Sequence, residues 1–410
     1  MSWTAQAASV AKLTPNAFST LYQQADAAGR KALLRARFRF DRAAFLVWCF
    51  PRLFSRSFNR YHLDVLERPW PSWTERSGRI LQEADAAPRG IAKTTLLKGE
   101  VVWAICYGME AYVVWLSAEL RLARSCTRHL RNLFLATSGP LHALFGPFNV
   151  QGGTDEWSVS VCGAPPVGVL ARSFGTQFRG ANEDAARPTL IVVDDGERPD
   201  RVRNPDQRRI WWEYLHEDVL KAGPIEGGLW VRIRGTVLHP DSLLANLLRS
   251  SAWRSSIYKV LNRLSDSPLW ERCKAIYCDL SLGDPDLRRA CALAFYQANQ
   301  AEMDEGLEVL DRAVMDPFRV YELIWTQGLQ SVLKELFNEP RQAGTRFFET
   351  ARFRRCRVIG TGKARAVVRA DGRTIPLADL QIRLHLDPIP GAALGAVSYT
   401  HLTLPTNREV

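Results

Sequence analysis

The sequence predicts an α/β fold in which a mostly parallel sheet is flanked by helices, and three observations carry that prediction. Strand-like and helix-like segments alternate from residue 80 to residue 135. Residues 189–195, T-L-I-V-V-D-D, form an apolar β-branched run ending in two carboxylates, the pattern of a buried parallel strand whose C-terminal end faces a ligand. A tight loop carrying Lys93 and Thr94 joins a strand to a helix. Strands alternating with helices close by right-handed crossovers, which put the helices on the faces of a parallel sheet.

Taken in order, residues 16–40 are rich in Ala, Leu and Arg and predict one basic helical segment. Arg35, Arg37, Arg39 and Arg42 lead into an apolar block at 45–50 that Pro51 ends, too short to span a membrane. Residues 1–60 are read as a helical arm or lid. Residues 61–73, with Pro69 and Pro71, form a connector in which Trp70 and Trp73 read first as packing residues. Residues 80–84 are a short strand and 93–108 a helix. Between them lies A-P-R-G-I-A-K-T-T, residues 87–95. A phosphate-binding loop needs backbone N–H groups turned toward phosphate oxygens, a lysine for the β- and γ-phosphates, and a hydroxyl for Mg²⁺. Lys93 and Thr94 supply the last two, followed by Thr95. Against G-x-x-x-x-G-K-[ST], Ala87 and Ala92 stand in the glycine positions, and Gly90 is the only glycine of the loop. A lysine-bearing turn that caps a helix is the competing reading of these nine residues.

Residues 112–117 read as a strand, 119–135 as a helix, 141–148 as loop, and 157–173 as shorter strands with a G-A-P-P turn. The run at 189–195 reads as Walker B, with Asp194 holding the metal's water shell and Asp195 orienting the attacking water. Asp195-Gly196 is also a turn signal. Pro205 opens a helix that runs through Lys221. Residues 229–234 form a further strand that Gly235 and Thr236 end. His239 and Asp241 read as a loop before a helix N-terminus rather than a metal site.

The order A-P-R-G-x-A-K-T-T, F-R-G at 178–180, R-P-T-L-I-V-V-D-D at 187–195 and I-R-G-T-V-L-H-P-D-S-L-L at 233–244 resembles the large subunit of tailed-phage terminases, ATP-driven DNA-packaging motors. The similarity runs from about residue 60 to about residue 391. It implies an additional-strand P-loop ATPase domain over residues 61–265, with ATP and Mg²⁺ as cofactors. Lys93 and Thr94 match the Walker A lysine and hydroxyl, and Arg89 an arginine acting in cis on the γ-phosphate. Asp194 and Asp195 match Walker B and the catalytic acid, where many relatives have Glu. Gly235 and Thr236 match the coupling motif that links hydrolysis to movement. The implied partners are double-stranded DNA, a portal protein, a small terminase subunit and further copies in a ring on the portal, in the cytoplasm of a bacterial host. A helicase-like translocase of the same ATPase class, and a catalytically degenerate prophage protein that binds DNA or a capsid partner, are the alternatives.

The mostly helical stretch 266–340 corresponds in that family to a helical linker subdomain, with a polar-apolar run at 285–315 and another at 320–337. Residues 341–396 read as a basic hairpin, with strands at 357–360 and 364–369, followed by a strand at 382–388. The latter resembles the opening strand of an RNase H-like nuclease, and Asp387 would be its metal ligand in an incomplete site. Residues 397–410 begin V-S-Y-T-H-L, which one frame of a sequencing adapter encodes, and are read as an assembly scar. On that reading the chain is truncated, lacks nuclease activity, and leaves the strand at 382 without neighbours.

Composition agrees with a globular protein: 46% hydrophobic and 24% charged residues exclude a disordered chain. The eight cysteines show no Cys-x-x-Cys or Cys/His ligand spacing, so reduced thiols are expected rather than a metal centre. No apolar N-terminal region or membrane span is apparent. The net charge of +11 is concentrated at the flanks: residues 1–85 carry 13 Lys/Arg against 7 Asp/Glu, and residues 341–380 carry 10 against 3. Basic flanks around a near-neutral middle suit sequence-independent binding of DNA phosphates, with Arg352, Arg354, Arg355 and Arg357 as the candidate contacts. A solvated arginine-rich surface is the plainer reading of either flank.

Overall fold

The computed structural model describes residues 10, 13–176, 187–226, 228–340, 357–361, 365–368, 374–376, 383–386 and 400–403. The chain divides into two units, residues 1–342 and 343–410.

The first unit is built on an eight-stranded sheet. Its strands are β1 (Ile80–Ala86), β2 (Tyr112–Ser117), β3 (Phe148–Gly152), β4 (Glu156–Val161), β5 (Val167–Ser173), β6 (Leu190–Asp194), β7 (Leu229–Gly235) and β8 (Arg254–Ile257). They lie in the order β3-β4-β5-β2-β6-β7-β1-β8, parallel from β5 to β8, with β3 and β4 antiparallel at one edge. The sheet is thus mostly parallel and flanked by helices, with β7 standing between β1 and β6. Strands β2 and β6 are buried along their whole length, which is why their sequences are continuous apolar runs.

Period-two alternation sends the side chains of these strands into two apolar layers. Val113, Trp115, Leu190 and Val192 join one layer, and Val114, Leu116, Ile191 and Val193 the other. The first layer is covered by α5 (Lys93–Cys106) and α6 (Leu120–Leu135), and by helices from the start of the chain: α1 (Pro15–Gln24), α2 (Ala27–Phe38), α3 (Arg42–Cys49) and α4 (Arg60–Glu67). Leu34, Phe38, Phe45 and Leu46 of the amino-terminal stretch are thus continuous with the core under α5. The second layer is covered by α8 (Pro205–Tyr214), the π turn after it (Leu215–Val219), and α9 (Leu243–Arg249).

Strand β7 is buried throughout although it carries Arg232 and Arg234. Both guanidiniums face carboxylates. Arg232 Nη2 lies 2.7 Å from Glu83 of β1, and Arg234 Nη1 lies 2.6 Å from Glu100 of α5. Trp70 packs edge-on against Trp103 and Trp230 and donates its indole N–H to Glu110, so it is a core residue at the strand N-terminal side of the sheet.

The linker stretch folds as α10 (Leu269–Tyr277), α11 (Pro285–Ala298), α12 (Gln300–Met303), α13 (Pro317–Gln327) and α14 (Leu329–Phe337), around two small apolar clusters.

Several local expectations are corrected. The helix expected over 16–40 is two helices, because Asp26 accepts the Gly29 N–H at 2.7 Å and starts α2 afresh. The loop expected at 141–148 contains α7 (Pro140–Phe145), with Pro140 in its first turn after Gly139 at φ 97°. The run at 320–337 breaks at Gly328, whose φ of 86° separates α13 from α14.

In the second unit β9 (Arg357–Ile359), β10 (Ala366–Val368) and β11 (Thr374–Pro376) form an antiparallel sheet. Strand β12 (Arg383–Leu386), expected to lack neighbours, instead pairs antiparallel with β13 (Thr400–Thr403), inside the stretch read as a scar. Of the two, Arg383–Leu386 alternates polar and apolar residues, as a strand pattern requires.

Candidate nucleotide site

The strand order decides what meets at the carboxyl edge of the sheet. Because β7 lies between β6 and β1, Ala86 is in register with Gly235, and Asp194 with Arg234. The loop after β1, the two carboxylates after β6 and the Gly-Thr pair after β7 therefore converge. Backbone bonds fix them: the Ala87 N–H donates to Gly235 O at 3.0 Å, and the Asp195 N–H to Arg234 O at 2.9 Å. A Cβ at Gly235 would stand 3.3 Å from both Asp195 Oδ1 and Leu244 Cδ2, so a side chain there would require both to give by a few tenths of an ångström.

Lys93 opens α5 and is only 7% exposed. Its ammonium donates to Ala87 O (2.9 Å), Pro88 O (3.0 Å) and Thr236 Oγ1 (3.0 Å). Burial lowers its pKa, while Asp195 and Asp194 act in the opposite direction. Thr94 donates its hydroxyl to Asp194, with Oγ1 2.9 Å from Oδ1 and 3.0 Å from Oδ2. Burial pushes the Asp194 carboxyl up to about 6, and the neighbouring Asp195 pushes it the same way. Asp195 is exposed, just past the strand end, in a left-handed conformation at φ 45°. Thr95 is half-buried in the first turn of α5.

The loop itself explains one of its two departures from the glycine pattern. Ala92 occupies the left-handed region at φ 61°, ψ 30°, where a glycine is at ease and an alanine is strained by about 1–2 kcal/mol. Ala87, fully buried, is not in that region. Gly90 has φ 89° with open space where a Cβ would stand, so its backbone and not its size is what the loop uses. Helix α5 has no side-chain N-cap, which leaves its first-turn N–H groups directed at whatever enters the loop. Arg89 is 78% exposed. Its N–H donates to Glu335 O at 2.9 Å, and its guanidinium lies 3.5 Å from the Glu335 carboxylate.

A Mg²⁺ ion takes oxygen ligands and needs only one or two from protein when phosphates supply others. The Thr94 hydroxyl and the Asp194 carboxylate, already in contact, fit that need. Lys93 satisfies its ammonium on two loop carbonyls, bonds that phosphate oxygens could replace without moving its backbone. The residues present thus fit Mg-ATP. Among the described residues no group of three or more His, Cys, Asp or Glu is placed to hold a metal by itself, and no helix is long and apolar enough to cross a membrane. His239 takes the Asp241 N–H, and Ser242 caps α9 by accepting the Ala245 N–H.

Three residues of the site have no signal in the motif order. Glu197 is half-buried, and its carboxylate accepts the N–H groups of Leu243 and Leu244 at 2.8 and 3.1 Å, tying the loop after β6 to α9. Glu335 and Asn338 reach the site from the end of α14, and Glu335 lies 246 residues along the chain from Arg89. The carboxylate in D-D-G-E is a visible clue to the first. Residues 178–180, Arg352, Arg354, Arg355 and Asp387 lie outside the described residues, and of Arg357 only the backbone, at the start of β9, is described.

No family model matches the chain, and no curated protein matches it in sequence. Among solved structures it is similar to the large terminase ATPase domain of Thermus phage P74-26, at 13% identity and a TM-score of 0.35 over 62% of this chain and 97% of that one. It is also similar to the large terminase of a second thermophilic bacteriophage in complex with ADP, at 12% identity and a TM-score of 0.32 over 55% and 51% of the two chains. A third similarity is to the Phi-28 gp11 DNA packaging motor, at 13% identity and a TM-score of 0.27 over 54% and 63%.

Proposed function

We propose that the chain is the ATPase of a DNA-packaging motor of the terminase type, in which ATP hydrolysis at the edge formed by β1, β7 and β6 drives double-stranded DNA into a procapsid. The observation that carries the ATPase reading is the direct contact of Thr94 with Asp194, beside Lys93 on Thr236, at three adjacent strand ends. A hydroxyl and a carboxylate brought together from sequence positions 100 residues apart, next to a buried lysine, support a phosphate and Mg²⁺ site over a helix-capping turn. The packaging reading rests on the order of the sequence motifs and on the basic flanks.

Bound Mg²⁺ would neutralise charge on the phosphates during transfer. The protein's own contributions are these. Lys93 and the first-turn N–H groups of α5 orient the phosphates, Thr94 and Asp194 hold the metal, and Asp195 positions the attacking water. Arg89, at the loop's exposed tip, would meet the γ-phosphate after leaving Glu335. Portal protein, a small terminase subunit and further copies of this chain in a ring are the proposed partners, and the procapsid in a bacterial cytoplasm the proposed location. Steady-state ATP hydrolysis, with and without double-stranded DNA, tests the reading. The wild-type chain hydrolyses ATP and Asp195→Asn binds it without turnover; wild-type rates in Asp195→Asn would move the catalytic role elsewhere.

A further inference from the structure

Asn338 stands immediately past α14 in the left-handed region, at φ 56°, ψ 30°, and its N–H caps the helix by donating to Leu333 O. An asparagine in that position is an ordinary helix ending, and glycine would serve as well or better. What the cap does not require is the rest of the side chain. It is buried, 7% exposed, and both ends of its carboxamide are used. Oδ1 accepts the Val237 N–H at 2.9 Å, and Nδ2 donates to Tyr258 O at 2.9 Å.

Each partner leads back to the phosphate loop. Val237 follows Thr236, whose hydroxyl takes the Lys93 ammonium at 3.0 Å. Tyr258 donates its N–H to Ala86 O at 2.8 Å, and Ala86 is the last residue of β1 before the loop. One carboxamide therefore bridges the chain leaving β7 and the chain leaving β8, on the two sides of the strand that feeds the loop. Helix α14 is held there by two further bonds, from the Val260 N–H to Leu336 O and from the Arg89 N–H to Glu335 O, each 2.9 Å. On its other side Val332, Leu333, Leu336 and Phe337 pack into the apolar cluster shared with α13. A displacement of Thr236 has a short hydrogen-bonded route into α14, and Asn338 is its side-chain link.

We propose that Asn338 is a positioning residue that transmits the state of the nucleotide site from Thr236 to α14; this rests on the ATP-site reading above. It acts through Val237 and Thr236 and touches no nucleotide itself. When Lys93 exchanges its bonds to Thr236 and the loop carbonyls for phosphate oxygens, Thr236 is freed, Val237 follows, and the carboxamide carries the shift to the helix.

The test uses the full chain with MgATP and MgADP and compares wild type, Asn338→Gly and Asn338→Asp. Glycine keeps the left-handed cap and deletes the bridge; aspartate keeps an acceptor for the Val237 N–H. Amide hydrogen exchange over residues 329–337, the ATP dissociation constant and kcat are measured on each. In wild type, exchange over 329–337 changes with nucleotide. In Asn338→Gly, ATP affinity stays within about twofold while the exchange response is lost and kcat falls about tenfold, within the range of coupling between sites; Asn338→Asp recovers most of both. If Asn338→Gly keeps the exchange response and kcat, Asn338 is only a helix cap and the inference fails alone. If ATP affinity falls in step with kcat, the side chain supports the loop itself, and the inference fails. A wild-type chain that does not bind ATP overturns the nucleotide site and this inference with it.

Discussion

Replacing Glu100 by Gln probes the joint between α5 and the strand that ends in Gly235 and Thr236. Glu100 is fully buried on α5. Its carboxylate lies 2.6 Å from Arg234 Nη1, 3.3 Å from Arg232 Nη1 and 3.9 Å from Arg42 Nη1. Glu83 and Asp85 of β1 and Arg68 complete the cluster, so that four guanidiniums face three carboxylates. Gln is close to isosteric and keeps a hydrogen-bond acceptor, so the substitution removes mainly charge. It leaves four buried guanidiniums against two carboxylates. Breaking a buried ion pair by neutralising one partner typically costs about 3–5 kcal/mol, because the charges left behind are uncompensated. Denaturant unfolding near neutral pH, followed through the buried tryptophans, should show a loss of that size. Arg234→Met alone should also destabilise, while the double variant should lose clearly less than the sum of the two. A loss under about 1 kcal/mol in Glu100→Gln, or strict additivity, would refute the claim that this cluster joins α5 to β7. The same cluster sets a pH dependence. Burial alone would raise Glu83 and Glu100, but the guanidiniums outweigh it and hold both below the usual carboxylate range, Glu83 at about 2. Groups depressed on folding contribute stability above their unfolded pKa of about 4.5 and lose it as pH falls toward 2. Wild-type stability should therefore decline with acid through that window, more steeply than that of Glu100→Gln.

Two further outcomes follow from the loop and the flanks. Ala92→Gly relieves a strained left-handed alanine but makes the unfolded chain freer by about 0.5–1 kcal/mol; it should leave stability within about 1 kcal/mol of wild type and keep or improve ATP affinity, and a tenfold loss of affinity would show that the alanine is required. Neutralising Arg352, Arg354, Arg355 and Arg357 together should reduce the slope of log DNA affinity against log salt by up to about three units; titration of a duplex of mixed sequence at several salt concentrations checks this, and an unchanged slope removes the cluster from the DNA contact.

The sheet and the candidate site at its carboxyl edge are legible because their signals are local. A buried parallel strand announces itself in T-L-I-V-V-D-D, and Lys93 with Thr94 sits where a strand gives way to a helix. Strand β7 is harder. Its V-R-I-R alternation suits a half-exposed strand, yet it lies buried in the interior of the sheet, where the alternating Q-E-A-D of β1 supplies carboxylates in matching register. Sequence position cannot show that the polar sides of two strands 149 residues apart neutralise each other. Glu335 and Asn338 escape for a related reason: a polar residue at a helix end carries no sign of the distant loop it will meet. The split between α1 and α2 is hidden because capping by Asp26 overrides a helix-favouring composition, and α7 because Pro140 acts as a first-turn residue where proline more often ends a helix.

The central claim is that Lys93 holds the phosphates of a bound nucleotide. Its most direct test is calorimetric titration of MgATP into the wild-type chain and into Lys93→Ala, with near-UV circular dichroism confirming that both are folded. The account predicts saturable binding by the wild type and none measurable by the folded variant, because the Lys93 ammonium would exchange its bonds to two loop carbonyls and Thr236 for phosphate oxygens. Equal ATP affinity in the two proteins would contradict it.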